Sequence, residues 1–219
     1  MSESSALISL PLFPLEAVLF PGGLLPLRIF EVRYLDMIGK CRKTGAPFGV
    51  VTLTKGTEVR RPDDGASGGD GFAHEAFHVV GTLATITEFS AAHAGLIVIR
   101  CTGTQRFRMS SHERLKHGLW TANVATLAED LSVNIPQDLQ GVATALGNLI
   151  TTLLARTVAP QQMPLQPPYR LDDCGWVANR WCELLPMPLA HKQLLMELDN
   201  PLVRLELVSD LLARNGIST

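Results

Sequence analysis

The chain has 219 residues, with 46% hydrophobic and 18% charged side chains, an ordinary globular balance with enough apolar material for one large domain or two small lobes. Its 19 basic and 21 acidic residues leave a formal charge of -2, which gives no electrostatic reason to expect nucleic acid or an anionic membrane as partner. Four widely spaced cysteines, Cys41, Cys101, Cys174 and Cys182, form no C-x-x-C pair, so neither a disulfide framework nor a zinc knuckle is expected, and buried thiols are.

The opening residues MSESSALISL lack the basic start and cleavage pattern of a secretory signal, and no apolar run of about 18 residues escapes a proline or charge. A cytoplasmic protein without a membrane span is expected. The apolar stretch Leu10–Ile38 is broken by Pro14, Pro21, Pro26 and Gly22-Gly23, so it must fold as short pieces: a strand over Leu7–Pro11, a corner, then a helix over Phe30–Arg42. Phe30, Tyr34, Met37, Ile38 and Cys41 fall at helical spacing and predict its buried face.

Further strands are predicted over Phe48–Leu53, Val79–Ile86, Gly95–Thr102, Arg106–Met109 and Leu119–Leu127, where β-branched and apolar residues dominate between polar or glycine punctuation. One helix among so many strands suggests a closed or half-closed β lobe plugged by that helix. Residues 60 to 71, RRPDDGASGGDG, have no apolar period and predict a mobile loop. Their glycines make no phosphate-binding pattern.

After Glu129 the period changes to 3.6. Val142, Leu146, Leu149 or Ile150, and Leu153 predict one helix, and Asp172 or Asp173 can cap a second that carries Val177, Trp181 and Leu184 inward. A third is predicted over Leu189–Leu198, and Asn200-Pro201 provides an N-cap and a first-turn proline for a last helix running to Arg214, stopped by Asn215-Gly216. The expected organisation is a β lobe over 1–128 and a helical lobe over 129–219.

His74-Glu75-Ala76-Phe77-His78 matches the H-E-x-x-H pattern of zinc hydrolases, which requires a helix to bring both imidazoles to one ion. The segment leads straight into a strand pattern, and strand geometry would hold the two histidines roughly 13 Å apart. No metal site is expected there. His112 and His117 are expected in a polar connection, and Trp120, Trp176 and Trp181 are expected mainly in the core.

PLFPLEAVLFPGGLLPLRIFEVRYLDMI at 11–38, GVV at 49–51, VVGTLATI at 79–86, GTQRFRM at 103–109 and KQLLMELDNPLVRLELVSDLL at 192–212 follow one another in an order that resembles the N-terminal domain family of Lon proteases. The resemblance covers nearly the whole chain. It implies an α+β fold: a PUA-like twisted β lobe, a pseudo-barrel with one inserted helix, and a C-terminal helical bundle. It also implies a region that recognises polypeptide substrates, with GTQRFRM resembling a glycine turn leading into an Arg-Phe-Arg strand.

The Walker motif and Ser-Lys pair of a complete Lon protease have no counterpart in this sequence, so a non-catalytic, cofactor-free module is expected. Its partners would be unfolded or client polypeptides, with a separate protease or chaperone receiving them. Candidate binding residues are Arg28, Glu31, Arg33 and Tyr34, for which structural salt bridging is the competing role, and Arg106 and Arg108, which alternate on a strand and could form a basic patch. RNA binding is the alternative because PUA-like lobes often bind RNA, although no Lys/Arg-rich stripe supports it.

Overall fold

The computed structural model describes residues 8–59, 74–93, 95–156 and 163–217. The loop expected over 60–71 lies outside them. The chain divides into two compact units: the first comprises residues up to 21 together with 25–127, and the second comprises 22–24 and 128 onward.

β1 (Ile8–Leu15), β2 (Leu24–Ile29, in the first unit from Leu25), β3 (Phe48–Lys55), β4 (Ala76–Phe77), β5 (Val80–His93), β6 (Leu96–Arg114) and β7 (Trp120–Thr126) form the one twisted sheet of the first unit. The order β1-β7-β6-β5-β3 closes through a parallel pairing of β1 with β3, where Leu12–Leu15 run beside Gly49–Thr52. All the other pairings with a described register are antiparallel. Short strands and several register shifts keep the ring from being a regular barrel.

Closure buries two sets of side chains. Phe13, Leu15, Ile29, Ile38, Phe48 and Ile99 pack in one, and Leu10, Leu12, Val51, Phe107 and Val124 in the other. The plug is α1 (Val32–Thr44), ended by Gly45 at φ 70°, a left-handed position that glycine fills without strain. Tyr34, Met37, Ile38 and Cys41 are buried as their spacing predicts. Phe30 is not: it precedes the first helical residue and is 54% exposed, because the helical period does not hold outside the helix.

Two strand readings are corrected. LLPLRI forms β2 despite Pro26, since a strand paired along one edge tolerates a missing donor. The expected turn at Gly103 does not exist, and β6 runs unbroken through it. A Cβ at Gly103 would stand 2.4 Å from the Phe20 carbonyl oxygen, so the glycine serves a close main-chain approach.

The second unit contains a short 3-10 turn followed by α2 (Gln140–Arg156), α3 (Cys174–Leu184), α4 (Leu189–Glu197) and α5 (Pro201–Arg214). Asp173 caps α3 by accepting from the Trp176 N–H at 2.7 Å, and also accepts from Ser132 Oγ at 2.9 Å and Arg170 at 2.7 Å. Asn200 caps α5 by accepting from the N–H groups of Leu202 and Val203 at 3.0 and 3.3 Å, and Gly216 follows at φ 70°. Val142, Leu146, Ile150, Val177, Trp181, Leu205, Val208 and Leu212 are buried.

All four cysteines are free and buried. Burial pushes the Cys101 and Cys182 thiols up to about 12 and raises those of Cys41 and Cys174, so the thiolate, the reactive form, is disfavoured at all four, and each side chain is also shielded from solvent. A thiol-reactive chromogenic disulfide should therefore modify none of them in the folded protein within minutes and all four in denaturant. Rapid reaction of the native protein would contradict this packing.

Candidate functional site

The first turn of α1 is fixed by its arginine. Arg33, 5% exposed, donates from Nε to Glu31 Oε2 at 3.1 Å, from Nη1 to the Gly118 carbonyl at 3.0 Å and from Nη2 to Glu75 Oε1 at 3.2 Å. Glu75 accepts a second bond, from Trp120 Nε1 at 2.6 Å. Burial by itself would lower the Arg33 pKa, but Tyr34, Glu75 and Glu31 around it offset this and raise it. A planar guanidinium serving three acceptors is a geometry lysine cannot reproduce.

Glu75 is the glutamate of the H-E-x-x-H match. Ala76–Phe77 is strand, and the His78 N–H bonds the Thr52 carbonyl at 2.9 Å, so the segment lacks the helix that would bring both histidines to one ion. Its carboxylate joins the helix arginine to the indole. His112 differs from its expected place: it lies on β6, its ring 5.2 Å from Phe77 and 5.5 Å from Trp120.

Arg33 also lines a cavity of about 520 Å³ that α1 borders together with Pro11, His117 and Leu119. Met37 and Cys41 line its apolar side, while Lys40 and Asp36 bring opposite charges to it. Val32, also on the lining, is 73% exposed, and Phe30 stands two residues before it. Large apolar side chains left in water beside a concave surface are what an interaction site leaves when unoccupied.

The six candidate binding residues separate by burial. Arg33 and Tyr34 are interior, with Tyr34 stacked on Phe13 at 4.0 Å between ring centres. Arg106 is 3% exposed whereas Arg108 is exposed, so the two do not share a solvent-facing basic patch. The pairing is regular there, with Arg106 opposite Thr82 and Arg108 opposite Val80, so strand alternation holds and it is the cover over Arg106 that separates the two. Arg28 is exposed and Glu31 half-buried. Sequence reading missed Phe30 and Val32 as surface residues, although an apolar pair flanking the helix cap was the signal available.

A family model described as "ATP-dependent protease La (LON) substrate-binding domain" matches residues 9–214. Among solved structures, the crystal structure of a Lon N-terminal domain protein from Xanthomonas campestris is 30% identical, covers 93% of this chain and 98% of that one, and has a TM-score of 0.68. The N-terminal domain of Mycobacterium avium complex Lon protease has 14% identity, coverage of 93% and 97%, and a TM-score of 0.56, a likeness of fold. No curated protein matches the sequence.

Proposed function

The chain belongs to the Lon substrate-binding domain family, and on that premise we propose that it is a non-catalytic module that holds non-native polypeptides and delivers them to a separate protease or chaperone. The observation that carries this reading is the cavity beside α1, lined in part by the exposed Val32, with Phe30 exposed two residues earlier in the chain. Apolar segments hidden in a native fold become available when a chain unfolds, so a surface built from apolar contact discriminates folded from unfolded clients.

The exposed charges at the cavity are balanced, Lys40 against Asp36, and Arg33 is paired with Glu31 and Glu75, so selection by net charge is weak and selection by apolar content dominates. Within the proposal, Arg28, Glu31 and Arg108 reach solvent and contact the bound chain, while Arg33, Tyr34 and Arg106 act beneath the surface. RNA loses its best local support because Arg106 is buried.

Fluorescence anisotropy with a labelled, reduced and carboxymethylated protein, permanently unfolded, tests the reading. Binding is expected, with Val32→Asp weakening it about tenfold, the order for losing one central apolar anchor. Equal binding by the Val32→Asp variant would remove the α1 surface from the proposal.

A further inference from the structure

Among the described residues, the distal half of β5 carries a main-chain edge with no strand beside it. β5 pairs with β3 only through Thr82–Ala84, while its pairing with β6 continues to His93 opposite Leu96. β6 has β2 as an additional partner, so beyond Ala84 the outer strand is β5. Among the described residues no other main-chain hydrogen bond reaches Thr85–His93.

Between register shifts at Ile86/Glu88 and Ala91/His93, Glu88–Ala91 pairs regularly with Ile97–Arg100. Glu88, Ser90 and Ala91 are exposed. One face of this stretch is backed: Phe89 packs against the core cluster that includes α1, and the Arg42 guanidinium lies 3.8 Å from its ring centre. The edge is therefore supported, and its outward N–H and C=O groups recur at strand spacing.

Open edges are commonly guarded by proline, lysine or brevity. β2 contains Pro26 and β4 has two residues, but TITEFSAAH, Thr85–His93, has neither proline nor lysine. Its one carboxylate, Glu88, faces Arg100 at 3.5 Å. We propose that Glu88–Ala91 of β5 takes up an extended segment of a non-native polypeptide as an added antiparallel or parallel strand.

The occupant follows from the hydrogen-bonding chemistry. Alternating donors and acceptors at strand spacing are matched by an extended backbone, whereas helices and folded sheets have already paired theirs. The contact is indifferent to side-chain identity, and the flanking register shifts keep it to a few bonds, which suits a client that must be released. The inference rests on the polypeptide-binding reading above and assigns a mode of contact to it.

The test uses a fluorescein-labelled peptide of alternating valine and threonine, and two versions N-methylated at every second residue, one for each register. The unmodified peptide should bind and slow hydrogen exchange of amides within Thr85–His93. One methylated version should bind about tenfold or more weaker, because several main-chain bonds are lost together. Equal binding by all three peptides, or protection confined to residues outside Thr85–His93, overturns the inference while leaving capture of unfolded protein standing. Failure of both the peptides and the carboxymethylated protein to bind sinks the inference and the functional reading together.

Discussion

Replacing Arg204 by alanine is expected to destabilise the helical unit by about 3–5 kcal/mol, the cost of stripping one partner from a buried ion pair. Arg204 is 1% exposed, yet every direction of its guanidinium is used. Nη1 and Nη2 both reach the Asp130 carboxylate, Nη1 donates to Asn179 Oδ1 at 3.1 Å, and Nε donates to the Leu195 carbonyl at 2.9 Å. Nη2 also bonds the Leu198 carbonyl.

Two effects oppose each other at this site. Desolvating the guanidinium is expensive, but the pair already stands in the folded state. Alanine therefore leaves the Leu195 carbonyl and Asn179 without this donor and opens a cavity as well. Lysine at 204 keeps the charge and loses the fork, so it should recover about half of the loss. Urea unfolding monitored by far-ultraviolet circular dichroism measures the series, and a loss below about 1 kcal/mol for alanine would be at odds with the buried network.

Gly81→Ala should destabilise the β unit by about 2–4 kcal/mol through overpacking. A Cβ there would lie 2.3 Å from the Val50 carbonyl oxygen, 2.7 Å from Phe107 Cζ and 2.8 Å from Val51 Cγ1. The first contact is with the backbone of the paired strand β3, which cannot turn aside as a side-chain tip can. Gly39 on α1 is the opposite case, because an added Cβ meets nothing within 4 Å. Gly39→Ala should stabilise by about 0.5–1 kcal/mol on helix propensity alone. The two alanines should thus move the denaturation midpoint in opposite directions, and equal shifts would contradict the assigned close approach.

The helical unit was the more legible part of the chain because its signals are local. Asp173, Asn200-Pro201 and Gly216 mark ends within one turn of the residues they serve. The β unit depends on distant partners. Nothing near Gly103 in sequence announces that the Phe20 carbonyl will lie against it, so its glycine read as a turn. The parallel β1–β3 closure joins segments that local alternation cannot register.

At the site, the placement of α1 was readable from its period, but the burial of Arg33 was not, because its partner Glu75 stands 42 residues away. The same distance explains why Glu75 looked like part of a zinc pattern. A motif quotes neighbours in sequence, whereas this carboxylate answers to Arg33 and Trp120. Phe30 shows the reverse error: its spacing fitted the apolar face, and the helix began after it.

The most direct test of the account is a residue-resolved titration of isotope-labelled protein with the carboxymethylated polypeptide and, separately, with the same polypeptide in its native disulfide-bonded form. The account predicts that the unfolded form shifts amide signals of Phe30 and of Val32–Lys40 on α1 and of Thr85–His93 on β5, and that the native form leaves them in place. No shifts with the unfolded chain, or equal shifts with both forms, would contradict the claim that this protein recognises polypeptides by their unfolded state.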